Sequence, residues 1–471
     1  MLSHEIKKIR WVLAQIVALF SLTVAAVTPM KINADTFDTR EIPPEFLSLG
    51  SEMTEVIAFV AATDTARAEV REAEAQLQGS KQKWMPSVAF EAAANRQKSE
   101  SRVDNQSTMG SGPANSFQWG LTLRQNIYSG GSDVSQLQSQ QKQLALATLE
   151  AKLFERETIR SWMMDLIQIQ RLSVLQKFNQ QTLEQASQLH QQTQRKVASG
   201  FLGKRDLLNS ERELLRIQNE VISNSLELKT RIKQHIETYG TKAPDAVAQQ
   251  IIKILESEQR LKQAISKDDS EEALLQGSLF WRRMSLQSEI SEKELNLSEN
   301  LRFAPRIDAV AGWNESELEN ASSPSSPNSL RRRNWSLSIN GSVSIQPPVS
   351  FAAVDTARAR YLKSKTLQQK LTKEQLTLIA SAFERLSGNE KELQIREQLT
   401  AATRRLHEQN QRLFDAGEIS LDRLIATQQD LDRDQKNLAS LSNQSQQLRL
   451  SLFFAKFWQL LPAPVLGAEQ Q

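Results

Sequence analysis

Apolar and polar residues alternate from Phe117 to Ile127. Phe117, Trp119, Leu121, Leu123 and Ile127 take the odd positions, broken once by Gln125; Gln118, Gly120, Thr122, Arg124 and Asn126 lie between them. A period of two predicts a strand with one apolar and one wet face. The pattern returns at Trp335, Leu337, Ile339, Val343 and Ile345, which alternate with Ser336, Ser338, Asn340, Ser342 and Ser344. Two weaker stretches behave alike: Val88, Phe90, Ala92 and Ala94 after Pro86, and Ile307, Ala309, Ala311 and Trp313 after Pro305. A proline near a strand's start removes a donor where its loss is tolerable. Strands are therefore predicted at about 84–95, 116–128, 303–313 and 334–346. The Ser-, Gly- and Asn-rich stretch 96–115 and the Ser-, Pro- and Asn-rich stretch 314–333 read as loops.

The rest of the chain is helical in pattern. Between Ser132 and Ser199 there is no Pro or Gly, and a continuous helix of that length is about 100 Å long. Gly200 interrupts it, and a returning helix runs from Asp206 to Tyr239. In it Leu207, Leu214, Val221 and Leu228 recur every seventh residue, shadowed by Leu208, Leu215 and Ile222. Sustained sevens predict coiled-coil packing in a long antiparallel hairpin. A second such hairpin is predicted over about 350–458, broken at Gly417, with Leu424, Leu431 and Leu438 seven apart.

The halves align at a nearly constant offset: Pro86 to Pro305, Trp119 to Trp335 and Gly200 to Gly417 differ by 219, 216 and 217. The reading is a duplicated unit of helix, strand, strand, long helix, turn and helix. The first repeat spans 35–240 with its tip at 200–206. A connecting segment covers 241–277, the second repeat covers 278–461 with its tip at 417–423, and a tail covers 462–471. Before them, Lys7, Lys8 and Arg10 precede the apolar run Trp11–Val27, the pattern of a signal peptide over 1–34, with cleavage after Ala26 or Ala34.

Composition narrows the picture. With 58 basic and 55 acidic residues the chain is nearly neutral, and the charges are interspersed, which suits solvated helix faces and argues against a nucleic-acid partner. There is no cysteine, hence no disulfide, thiolate metal site or lipid-anchored N-terminal Cys. No Walker loop, dinucleotide turn, nucleophile elbow or His-Glu-x-x-His is present. No enzyme, cofactor or metal is expected.

Strands of about 11 residues cross a bilayer when tilted. Trp84, Trp119, Trp313 and Trp335 lie in or beside the four predicted strands, where a barrel carries its aromatic girdles. Four strands cannot close a useful barrel, and open edges cannot face lipid, so several copies must share one barrel. On this reading Phe117, Trp119, Leu121, Leu123, Trp335, Leu337, Ile339 and Val343 face outer-membrane lipid. Gln118, Thr122, Arg124 and Asn126 face the lumen, and Gln125 sits at a membrane boundary.

At this point the chain resembles the TolC-like outer-membrane efflux protein family. The resemblance rests on four stretches in register: Ala66–Leu77 followed by Pro86, Leu121–Gly131, Gly200–Leu207 and Gly417–Leu424. It implies a mainly α protein with a small membrane β-barrel: a homotrimer with a 12-stranded barrel in the outer membrane and an α-helical tunnel in the periplasm. It implies a passive exit duct for small molecules or proteins that docks a periplasmic adaptor and an inner-membrane pump or ABC transporter. The two hairpin turns would close the tunnel's tip, which makes Gly200, Asp206, Leu207, Phe414, Gly417, Asp422 and Arg423 the candidate gate. Gly200 and Gly417 suit helix C-termini. Asp206 suits either a cap or a gate contact. The second turn departs from the family's acidic pattern, with Arg423 and Ala426 at the matching positions and Asp422 displaced by one, and Phe414 replaces a tyrosine found in some members. The competing expectation is a periplasmic helical-hairpin adaptor or scaffold with no pore.

Overall fold

The computed structural model describes residues 44–97, 114–257, 271–300, 305–320, 329–343 and 347–460. The signal-peptide expectation, the C-terminal tail and Ile345 lie outside them. The helices are α1 (Gly50–Phe59), α2 (Ala61–Gln82), α3 (Ser132–Ala198), α4 (Lys204–Tyr239), α5 (Pro244–Ser257), α6 (Glu271–Gly277), α7 (Leu279–Asn300), α8 (Pro347–Asp415) and α9 (Leu421–Phe457). The strands are β1 (Ser87–Gln97), β2 (Ala114–Tyr128), β3 (Arg306–Asn320) and β4 (Ser329–Ser342). The order helix, strand, strand, long helix, helix thus occurs twice, as α2-β1-β2-α3-α4 and α7-β3-β4-α8-α9.

The 67 residues of α3 and 69 of α8 make rods of about 100 Å. Towards its sheet end α3 packs on α2, and towards its far end on α4; α8 packs in the same way on α7 and α9. Aromatic rings pack the segment before α1 against the end of α9. Phe46 meets Phe453 at 5.0 Å between centroids, and Phe454 meets Trp458 at 4.8 Å. In α3, Trp162 is fully buried, its indole N–H donating to Thr241 at 2.9 Å. Burying the indole is tolerable because its one polar group is satisfied.

The four strands form one antiparallel sheet in the order β1-β2-β3-β4. Their bounds differ from the sequence expectation in two instructive places. The first strand begins at Ser87, because Trp84 and Met85 donate to Lys81 and Gln82 in a turn and Pro86 has no N–H to give. The stretch 314–333, expected as a loop, supplies the end of β3 and the start of β4. Glu315 lies opposite Arg333 in the register. Opposite charges facing across a ladder favour pairing, and a composition-based loop assignment is blind to that.

Candidate functional site

Two regions carry the features the sequence singled out. In the sheet, cross-strand partners share a face, so the register builds two faces. One carries Phe90, Leu121, Trp313 and Trp335 in a single row, with Val88, Leu123, Ala311 and Leu337 in the next. Trp119 lies on that face and meets Trp313 edge-on at 4.6 Å. Phe117 and Leu121 are exposed, as are Leu337 and Ile339, and Trp335 is 79% exposed. Val343 follows the end of β4 and is also exposed. Just beyond the Trp row, Arg333 reaches the buried carboxylate of Glu315 at 3.3 Å. The apolar band therefore ends on a row of indoles and then a charge pair.

The opposite face is polar. Gln118, Thr122, Arg124 and Asn126 alternate with the apolar set, facing Ser316, Gly312, Val310 and Asp308 on β3. Arg124 pairs with Asp308 at 2.6 Å, and Arg306 approaches the same carboxylate at 3.2 Å. Where β2 passes into α3, Asp133 in the first helical turn accepts from Asn126 at 2.5 Å and from the hydroxyl of Ser129 at 2.6 Å. These bonds fix the angle between strand and rod.

The other region is the pair of hairpin tips. Gly200 and Gly417 both have φ of +80°, the left-handed conformation that ends a helix most cheaply as glycine. The bonding is the same at both. Gly200 N–H donates to Val197 O and Phe201 N–H to Lys196 O; Gly417 N–H donates to Phe414 O and Glu418 N–H to Leu413 O. Each is a Schellman closure, satisfying carbonyls that the helix end would leave unpaired. Asp206 is the third residue of α4, and its carboxylate accepts from Gly203 N–H at 3.0 Å. That is the reach-back half of a capping box. Of the two roles open to Asp206, the cap is the one its contacts describe.

Phe414 is 1% exposed and forms a core with Leu421, Leu424 and Ile425, against which Leu189, Leu202 and Ile419 pack. Leu202 and Ile419 come from the two turns, so this cluster joins hairpin to hairpin. Leu207 is half-buried, while Asp422 and Arg423 are exposed on the first turn of α9. Asp422 accepts from Asn209 of α4 at 2.9 Å. Further up, the buried carboxylate of Glu213 accepts from Gln429 at 2.9 Å and from Arg216 at 2.7 Å. Higher still, Lys436 joins Glu220 to Asp432. These rungs tie α4 to α9 over a rise of about 16 Å.

The sequence reading missed Lys196, Asn209, Glu213 and Lys436. None of them has a local signal: even Glu213, just before the heptad position of Leu214, sits where coiled coils commonly carry a charge. Two apolar rows remain without a partner among the described residues. Leu208, Leu215 and Ile222 of α4 are 64%, 57% and 67% exposed, and Ile395, Leu399 and Leu406 of α8 are likewise exposed. Among the described residues no group of His, Asp and Glu is arranged to hold a metal ion, and no helix is long and apolar enough to cross a membrane.

Residues 64–234 match the family model described as outer membrane efflux protein. Solved structures share the fold over nearly the whole chain. A CusC structure, concerned with folding and transmembrane channel formation, superposes with a TM-score of 0.72 at 12% identity, covering 86% of this chain and 91% of that one. The outer-membrane channel OprN gives 0.70 at 15%, covering 92% and 98%. The Campylobacter jejuni CmeC outer membrane channel gives 0.71 at 12%, covering 93% and 91%. No curated protein matches the chain.

Proposed function

We propose that this chain, whose residues 64–234 match the outer membrane efflux protein family model, is one subunit of a trimeric exit duct. Three copies contribute four strands each to a 12-stranded barrel in the outer membrane, and their helices form a tunnel through the periplasm. The observation that carries this reading is the sheet: four strands with one apolar, exposed face and free edges at β1 and β4. Such edges are tolerable in lipid only when paired. Joining β4 of one copy to β1 of the next pairs every edge, and a head-to-tail contact of this kind closes into a ring. The exposed row on α4 and the exposed row on α8 supply the matching helical seam.

The polar face with Arg124 and Asp308 lines the lumen, and the apolar face meets lipid. The tips around Gly200 and Gly417 form the periplasmic entrance, where an adaptor and an inner-membrane pump or ABC transporter dock. Three exposed Arg423 side chains make that entrance less cation-selective than an acidic ring would be. Arg423→Ala should therefore shift the reversal potential in a salt gradient towards cation preference, and an unchanged potential would remove Arg423 from the filter. The duct itself is tested by fractionation and bilayer recording. A heat-resistant trimer in the outer membrane that conducts ions supports it; a soluble periplasmic monomer would favour a pore-less scaffold.

A further inference from the structure

Two turns above the second tip, His407 of α8 borders a cleft of about 460 Å³ where all four tip helices meet. The ring is partly buried, and its Nδ1 is shielded from solvent without a hydrogen-bond partner among the described residues; so is Oε1 of Gln192 across the cleft. The other tip histidine differs. His190 Nδ1 lies 2.9 Å from Ser210 Oγ. We propose that His407 makes the paired tips acid-responsive, a charged ring at this place loosening the second hairpin from the first and opening the tunnel end. This rests on the duct reading.

The groups facing His407 determine the direction. From α3 come uncharged side chains, Gln192 among them, and from α9 Ile425 and Gln428. From α4 comes Glu213, whose carboxylate is already engaged by Arg216 and Gln429. From α8 itself come Glu408, Arg412 and Asp415. A protonated ring donates from both nitrogens and carries a charge. Here its own helix offers two acids, Glu408 beside it and Asp415 towards the tip, and one base, Arg412. Burial holds the His407 imidazole below its ordinary range, and Glu408 opposes that only in part. In an opened tip the solvated ring takes its proton near pH ~6.5. The opened form therefore binds more protons, so the closed packing is intact above that pH and weakens as pH falls through it.

The test uses the full-length trimer in planar bilayers with symmetrical buffers, stepped from pH 7.5 to 5.0. Open probability should rise on the order of tenfold for each pH unit by which closure depresses the ring. His407→Gln should give a flat response with unchanged opening at pH 7.5, and His190→Gln should keep the rise. A flat wild type, or a rise that survives His407→Gln, overturns the proposal. Hydrogen exchange on the unmodified protein gives an arm independent of the variants. Corrected for intrinsic rate, segments spanning 404–425 should lose protection at pH 5 while 159–172 keep theirs; equal protection at both pH values overturns the proposal. No conductance at any pH would count against the duct, while the exchange arm still decides the role of His407.

Discussion

Lys196 holds Phe414 in two ways at once: its Nζ donates to the Phe414 carbonyl at 2.7 Å and sits 4.1 Å from the centroid of the same residue's ring. The lysine ends the first long rod and the phenylalanine ends the second. One side chain thus bridges the two hairpins at their tips. Lys196→Met keeps the apolar stem and removes the charge, so it loses the hydrogen bond and the cation–π contact, together about 1–2 kcal/mol. The expected outcome is more frequent tip opening, seen as increased open probability and faster exchange of amides near 414–418. Unchanged tips would mean that the apolar cluster alone joins the hairpins.

The tip glycines can be separated from their surroundings. A Cβ built on Gly200 or Gly417 meets nothing within 4 Å, so any cost of Gly→Ala comes from the backbone and not from a clash. Forcing an L-residue into the left-handed region costs about 1–2 kcal/mol. Gly200→Ala and Gly417→Ala should each lower the thermal midpoint, and Gly→Asn at the same sites should lower it less. Equal losses for Ala and Asn would point to a contact that the turn geometry does not explain.

Glu213 is a buried charge whose partners lie on two helices. Arg216 is on its own helix and partly exposed, and Gln429 is on α9. Arg216→Ala leaves the carboxylate with the amide alone. The full penalty for a stranded buried ion is about 3–5 kcal/mol, and solvent access at the arginine cuts it to roughly 1–2. Glu213→Gln with Arg216→Ala should recover part of that loss, because the charge leaves with its partner. Urea denaturation of the four variants closes the cycle; additive losses would show that the two residues are not coupled.

Legibility followed periodicity. The rods, the turns at Gly200 and Gly417, and the two-faced strands were readable because spacing alone produces them. The heptad leucines were readable only in part. Leu424 and Leu431 are buried, yet the shadowing row Leu208, Leu215 and Ile222 stays exposed within one chain, and sequence cannot say which row meets which neighbour. The polar ends of β3 and β4 were lost because Glu315 and Arg333 support each other only once the register brings them together. Lys196 on Phe414 and Asn209 on Asp422 were invisible for the same reason. Each joins residues more than 200 apart, and the pairing depends on how two hairpins lie together, which no local pattern encodes.

Ile339 and Ser338 are neighbours in β4 on opposite faces of the sheet, Ile339 opposite Ala309 and Ser338 opposite Val310. They give the sharpest test of orientation. If the face carrying Trp335, Leu337 and Ile339 meets lipid, Ile339→Arg near mid-membrane should destabilise the barrel by about 2–4 kcal/mol. Ser338→Arg, one residue away, places the same charge in the lumen and should cost little while altering conductance. The measurement is the heat at which the trimer dissociates in detergent, paired with single-channel current. The reverse pattern, Ser338→Arg disruptive and Ile339→Arg silent, would turn the sheet inside out and put Arg124 and Asp308 against the lipid, where an ion pair has no water to help it.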